Sequence, residues 1–176
     1  MTDQDIVQRP LDPGALDALR ERAAWVLEEA RRAGASDAEV GISVSQGLSV
    51  TVRMGEVETL EFHRDRGISV TVYMGQQKGS ASSSDDSQDS IRSTVAAACA
   101  IARHTGADPH AGLAGEEQLA RSFPDLDLYH HWGLSPAAAI DDASACEAVG
   151  RADPRIVNSE GASVSSVDAL RVYATS

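Results

Sequence analysis

Between residues 15 and 32 the apolar side chains Leu16, Leu19, Ala23, Val26, Leu27 and Ala30 recur at helical spacing and form one face. Asp12-Pro13 in front of them predicts a helix start, with Asp as N-cap and Pro at the first helical position, where its missing N–H costs nothing. Gly34 supplies the stop, and Glu28 and Arg32 form an i,i+4 pair on the wet side. The period then changes to two. Ala38, Val40, Ile42 and Val44 alternate with polar or small residues; so do Leu48, Val50, Val52 and Met54, then Leu60 and Phe62, then Ile68, Val70, Val72 and Met74. Gln46-Gly47, Gly55-Glu56 and Asp65-Arg66-Gly67 read as tight connections between short antiparallel strands. Val40, Ile42, Val50, Val52, Leu60, Val70 and Val72 are expected on one buried face, with the first helix as its cover.

The stretch that follows, Q-K-G-S-A-S-S-S-D-D, predicts a fifth strand over 76–83, yet it carries hardly any side chain large enough to pack. Ser84, Asp86 or Ser87 can cap a second helix with Ile91, Val95, Ala98, Cys99 and Ala102 on one face, ending near Gly106. A long irregular connection leads to Ser135-Pro136, which opens an alanine-rich helix running towards Gly150. Two strand-like pieces, 156–164 and 170–175, follow, and the second stops at Ser176 with no charged protection, which suggests a piece of a longer protein. The expected class is α+β: an antiparallel meander with helices packed on one face, a flexible segment over 1–11, and one domain over 12–176 that belongs to a larger two-domain protein.

Composition narrows the functions. A length of 176 residues allows one domain with a real core, and the net charge of −12 repels phosphate backbones and anionic lipid. Direct binding to nucleic acid or membrane is therefore not expected. The acidic start has no basic and apolar leader pattern, and Cys99 and Cys146, each among alanines, read as reduced core residues of a cytoplasmic chain.

Catalytic patterns are missing. Lys78 precedes Gly79 instead of following a glycine-spaced loop, so no phosphate cradle forms. Ser80, Ser82, Ser83 and Ser84 lack the flanking glycines of a nucleophile elbow. His63, His104, His110, His130 and His131 show no helical zinc spacing, and the cysteines are far apart. The acidic pairs Asp85-Asp86, Glu116-Glu117, Asp125/Asp127 and Asp141-Asp142 suit helix starts and loops.

The segments from G-I-S-V-S-Q-G through K-G-S-A-S-S-S-D-D, then T-V-A-A-A-C-A-I-A-R-H-T-G, D-L-D-L-Y-H, S-P-A-A-A-I and R-I-V-N-S-E-G-A-S, resemble the N-terminal domain of the PmbA/TldE family, the "modulator of DNA gyrase" proteins and sisters of TldD. The resemblance implies a cytoplasmic subunit that forms a heterodimer with a TldD-type metalloprotease and acts on unfolded peptides, including a microcin precursor and an antitoxin. It also implies that the zinc site belongs to the TldD partner, so this chain has no catalytic, metal-binding or cofactor residue of its own. The residues then expected to contact a peptide or partner strand are Lys78, Gly79, Ser80 and Ser82, with Asn158, Glu160 and Gly161 of the N-S-E-G segment. Small side chains there leave the backbone open to strand addition, or else let a helix pack closely. A regulatory interaction module acting on gyrase is the other reading.

Overall fold

The computed structural model describes residues 10–12 and 14–176. The segment expected to be flexible and the proline expected to open the first helix fall almost wholly on residues 1–9 and 13, outside those described. Helix α1 spans Ala15–Arg32 and begins after Gly14, not at Asp12. The Asp12 side chain instead accepts from the Gly14 amide at 2.9 Å, a local Asx turn that prepares the first helical turn. At the other end Gly34 adopts φ 94° and the Ala35 amide reaches back to Ala30 O, a Schellman ending.

Strands β1 (Asp37–Arg53), β2 (Glu56–Met74), β3 (Gln77–Ser83) and β4 (Ala162–Thr175) form one antiparallel sheet in the order β3-β2-β1-β4. Helix α2 spans Gln88–His104 and α3 spans Pro136–Arg151. The turns expected at Gln46-Gly47 and Asp65-Arg66-Gly67 do not occur, for both lie inside continuous strands. The phase explains why: even-numbered positions carry the apolar residues on both sides of each break, so one uninterrupted strand keeps them on one face. The real hairpin turn is Met54-Gly55, both residues at positive φ (54° and 84°), as a type I′ turn requires. The closing pieces are likewise one strand beginning at Ala162, and 156–161 is loop.

The chain divides into two compact units, through both of which β1, β2 and β4 run. In the unit formed by 12–44, 65–128 and 170–176, α1 and α2 cover Ala38, Val40, Ile42, Ile68, Val70 and Val72. Ser87 caps α2 by accepting from the Ser90 amide, and the expected apolar face of that helix is fully buried. In the other unit, which includes 45–64 and 129–169, α3 lays Ala139 and Ala143 against Leu48, Val50 and Val52. Ser135 caps α3. Two core expectations fail there. Leu60 is 50% exposed, because nothing among the described residues covers its stretch of β2, and Cys146 lies on the outer side of α3.

Candidate functional site

The bare stretch forms β3, an edge strand of the sheet. Its register with β2 places Gly79 opposite Val72 and Ala81 opposite Val70, on the helix-covered face. A Cβ at Gly79 would lie 2.2 Å from Ala98 O and 2.4 Å from Ala102 N, so only glycine lets α2 approach the strand this closely. Gly79 therefore serves packing. Lys78, Ser80 and Ser82 point to the opposite, exposed face. There Lys78 lies 6.0 Å from the centre of the Tyr73 ring, and Ser80 shares a 2.9 Å hydrogen bond with Thr71. The Tyr73 hydroxyl donates to Glu39, and its pKa is pushed up to about 12 by burial first and by that carboxylate second.

The same face holds a groove whose floor is made of small residues from neighbouring strands, among them Gly41, Gly67, Ser69 and Ser82. A Cβ at Gly41 would come within 2.9 Å of the Ser69 hydroxyl, so the floor is low because its glycines and serines are mutually close. Arg66 and Arg171 stand among its lining residues. Arg66 and Arg22 both bind Asp86, at the turn into α2, whereas Arg171 has no polar partner among the described residues. Ser83 and Ser87 are engaged in that turn, with Ser90, Asp85 and the α2 cap, and none stands next to a histidine base. The groove offers hydrogen-bonding groups and cations, and no nucleophile.

Asn158, Glu160 and Gly161 belong to the other unit. Asn158 and Glu160 are exposed; Gly161, at φ 93°, passes so close to β1 that a Cβ would lie 2.6 Å from Val52 O. The residue of this segment with the densest bonding is Ser159, whose carbonyl accepts from Arg53 and whose hydroxyl accepts from the Gly161 amide. Ser159 also bonds Glu147, a buried carboxylate missed by sequence reasoning. Glu147 accepts the Met54 and Gly55 amides at 2.7 and 2.8 Å and so fixes the β1–β2 hairpin turn. Burial pulls the Glu147 carboxyl up, but the amides of Gly55 and Met54, the Ser159 hydroxyl and Arg151 outweigh it, so its pKa lies below 4.5. Its spacing from Ala139 and Ala143, on the buried face of α3, was the available signal.

In that unit also, His131 Nδ1 lies 2.8 Å from the buried Asp168 carboxylate. Among the described residues no serine or cysteine is hydrogen-bonded to His131, and the pair fastens the 129–134 segment to β4. Among the described residues no three His, Cys, Asp or Glu side chains converge as metal ligands. A metal centre does not fit the residues described here.

The family model of PmbA/TldA metallopeptidase domain 1 matches residues 38–102. Over 90% of its length the chain is 44% identical to a metalloprotease PmbA homolog of Haemophilus influenzae and 47% identical to metalloprotease PmbA of Escherichia coli. The chain carries the first domain of the PmbA/TldD family. It spans about a third (35%) of the length of these curated relatives. Among solved structures, it superposes on a modulator of DNA gyrase from Bacteroides thetaiotaomicron with TM-score 0.71 and 25% identity, over 89% of this chain and 37% of that one. TldE from Thermococcus kodakarensis gives TM-score 0.70 at 13% identity, over 88% and 35%, and so speaks for the fold alone. A helix long and apolar enough to cross a membrane does not occur among the described residues.

Proposed function

We propose that this chain is the first domain of a TldE/PmbA-type subunit that works with a TldD-type metalloprotease subunit in the hydrolysis of unfolded peptides. The observation that carries the reading is the 44–47% identity to PmbA metalloproteases along 90% of the chain. The metal, expected to be zinc, and the cleavage chemistry are assigned to the partner subunit, in keeping with the scattered histidines of this domain. The role left to this domain is to present polypeptide. Lys78, Ser80 and Ser82 offer an exposed strand face beside the groove, and an extended peptide or a strand of the partner subunit would lie along β3 and exchange main-chain hydrogen bonds. Asn158 and Glu160 are accessible for a second polar contact.

The test uses the full-length protein, purified without a histidine tag, with and without a TldD-type subunit and an unstructured peptide. Cleavage that needs both subunits and is abolished by a chelator supports the reading. Chelator-sensitive cleavage by this protein alone would sink it. The gyrase reading gains ground instead if the full-length protein binds gyrase and leaves the TldD-type subunit unbound.

A further inference from the structure

Strand β3 pairs with β2 over Ile68–Met74 alone, and no other strand lies on that side of the sheet among the described residues. The first half of β2, from Glu56 to Arg64, therefore has an open edge with a row of unpaired backbone groups. Every side chain from Glu56 to Phe62 is exposed, including Val57, Leu60 and Phe62. An open strand edge carrying apolar side chains is a template for another strand, and native chains commonly blunt it with proline or with charges of one sign, lysine above all. This segment, E-V-E-T-L-E-F-H-R, has no proline or lysine, and its charges are of both signs.

Its charges run from Glu56 and Glu58 at one end to Arg64 at the other, with Glu61 between them. We propose that this half of β2 pairs antiparallel with the same segment of a second copy, about a two-fold axis at Leu60. In that register Leu60 meets Leu60 of the second copy, Glu56 of each copy meets Arg64 of the other, and Thr59 meets Glu61. Like charges are nowhere directly opposed. Phe62 stands diagonal to the leucine pair, a separation that aromatic side chains bridge. Arg64 has no polar partner within the described residues, so its charge is available to the second copy. A peptide of arbitrary sequence would use the same backbone groups without matching this charge order, which is why a second copy is the occupant chosen. The inference is independent of the peptidase reading.

The test is sedimentation velocity of the full-length protein across a concentration series. The wild type is expected to show a concentration-dependent dimer, and Leu60→Lys a monomer. Glu56→Arg and Arg64→Glu each turn two attractive cross-strand pairs into repulsive ones and are expected to raise the dimer Kd on the order of tenfold. The double variant E56R/R64E is expected to return to the wild-type Kd. Because both positions are exposed, unchanged melting of the singles separates loss of pairing from loss of fold. A wild type that stays monomeric at every concentration would overturn the proposal. So would a dimer indifferent to both charge reversals, or capture of a TldD-type subunit by this edge while the protein alone stays monomeric.

Discussion

The two halves of β2 follow one alternation and meet opposite fates. Val70 and Val72 are fully buried, while Leu60 and Phe62, on the same even-numbered positions, are 50% and 49% exposed. The difference lies in the cover. Helices α1 and α2 close over the second half of the strand, and β3 pairs with its edge, whereas no helix or strand among the described residues does either for the first half. Alternation therefore reports which face a side chain takes, and only the neighbouring elements decide whether that face is dry.

The largest effect expected from this contrast is at Val70. Val70→Asp places an unpaired charge in the core at a cost of several kcal/mol, comparable to the whole stability of a domain, and cooperative thermal melting should be lost. Leu60→Asp, also a change from aliphatic to charged on the same strand, should shift the stability of the dilute monomer by about 0.5 kcal/mol or less. Equal destabilisation of the two in dilute solution would show that the first half of β2 is covered within a single copy.

Gly79→Ala is next. The added methyl group meets backbone atoms of α2, which cannot rotate away, so a loss of roughly 1–3 kcal/mol is expected in chemical denaturation. A neutral result would mean that α2 stands farther from β3. Smaller is the pH response of the Glu147 clamp. Its pKa in the folded protein is below the ordinary 4.5, so its stabilisation is present above that value and is lost as pH falls through the folded pKa. Melting temperature should fall more steeply below that range for the wild type than for Glu147→Gln, and the two curves should converge at the acid end. Parallel curves would remove the carboxylate from the account of the hairpin. The smallest effect is at Ser80: under the proposed function, Ser80→Ala should leave stability and peptide hydrolysis with a TldD-type subunit nearly unchanged, while Ser80→Pro, which removes a backbone donor and fixes φ, should reduce that hydrolysis. Equal hydrolysis by the two variants, at equal stability, would confine β3 to a packing role.

Much of the fold was legible. The helical faces of α1 and α2, the stop at Gly34 and the inward set Val40, Ile42, Val50, Val52, Val70 and Val72 follow from period and capping chemistry alone, whereas the start of α1 does not. The turns at Gln46-Gly47 and Asp65-Arg66-Gly67 misread because glycine and charge punctuate a chain only when pairing also stops, and pairing is a property of the neighbouring strand. Leu60 and Cys146 misread because burial depends on what lies opposite. The site was less legible. Gly79 and Ser80 are adjacent, yet one is fixed by backbone atoms of α2 and the other faces the open side of the sheet, a distinction that rests on strand register. Glu147 and Asp168 escaped notice because a buried carboxylate is satisfied by partners far away in sequence: the hairpin amides for one, His131 for the other.

The contrast along β2 is tested most directly by hydrogen–deuterium exchange of its backbone amides in the full-length protein at several concentrations. Amides of Ile68–Met74 are expected to be protected at every concentration, because β3 and β1 flank them. Outward-facing amides of Glu56–Arg64 are expected to exchange quickly in dilute solution and to become protected as the protein is concentrated. Equal, concentration-independent protection along the whole strand would contradict the account.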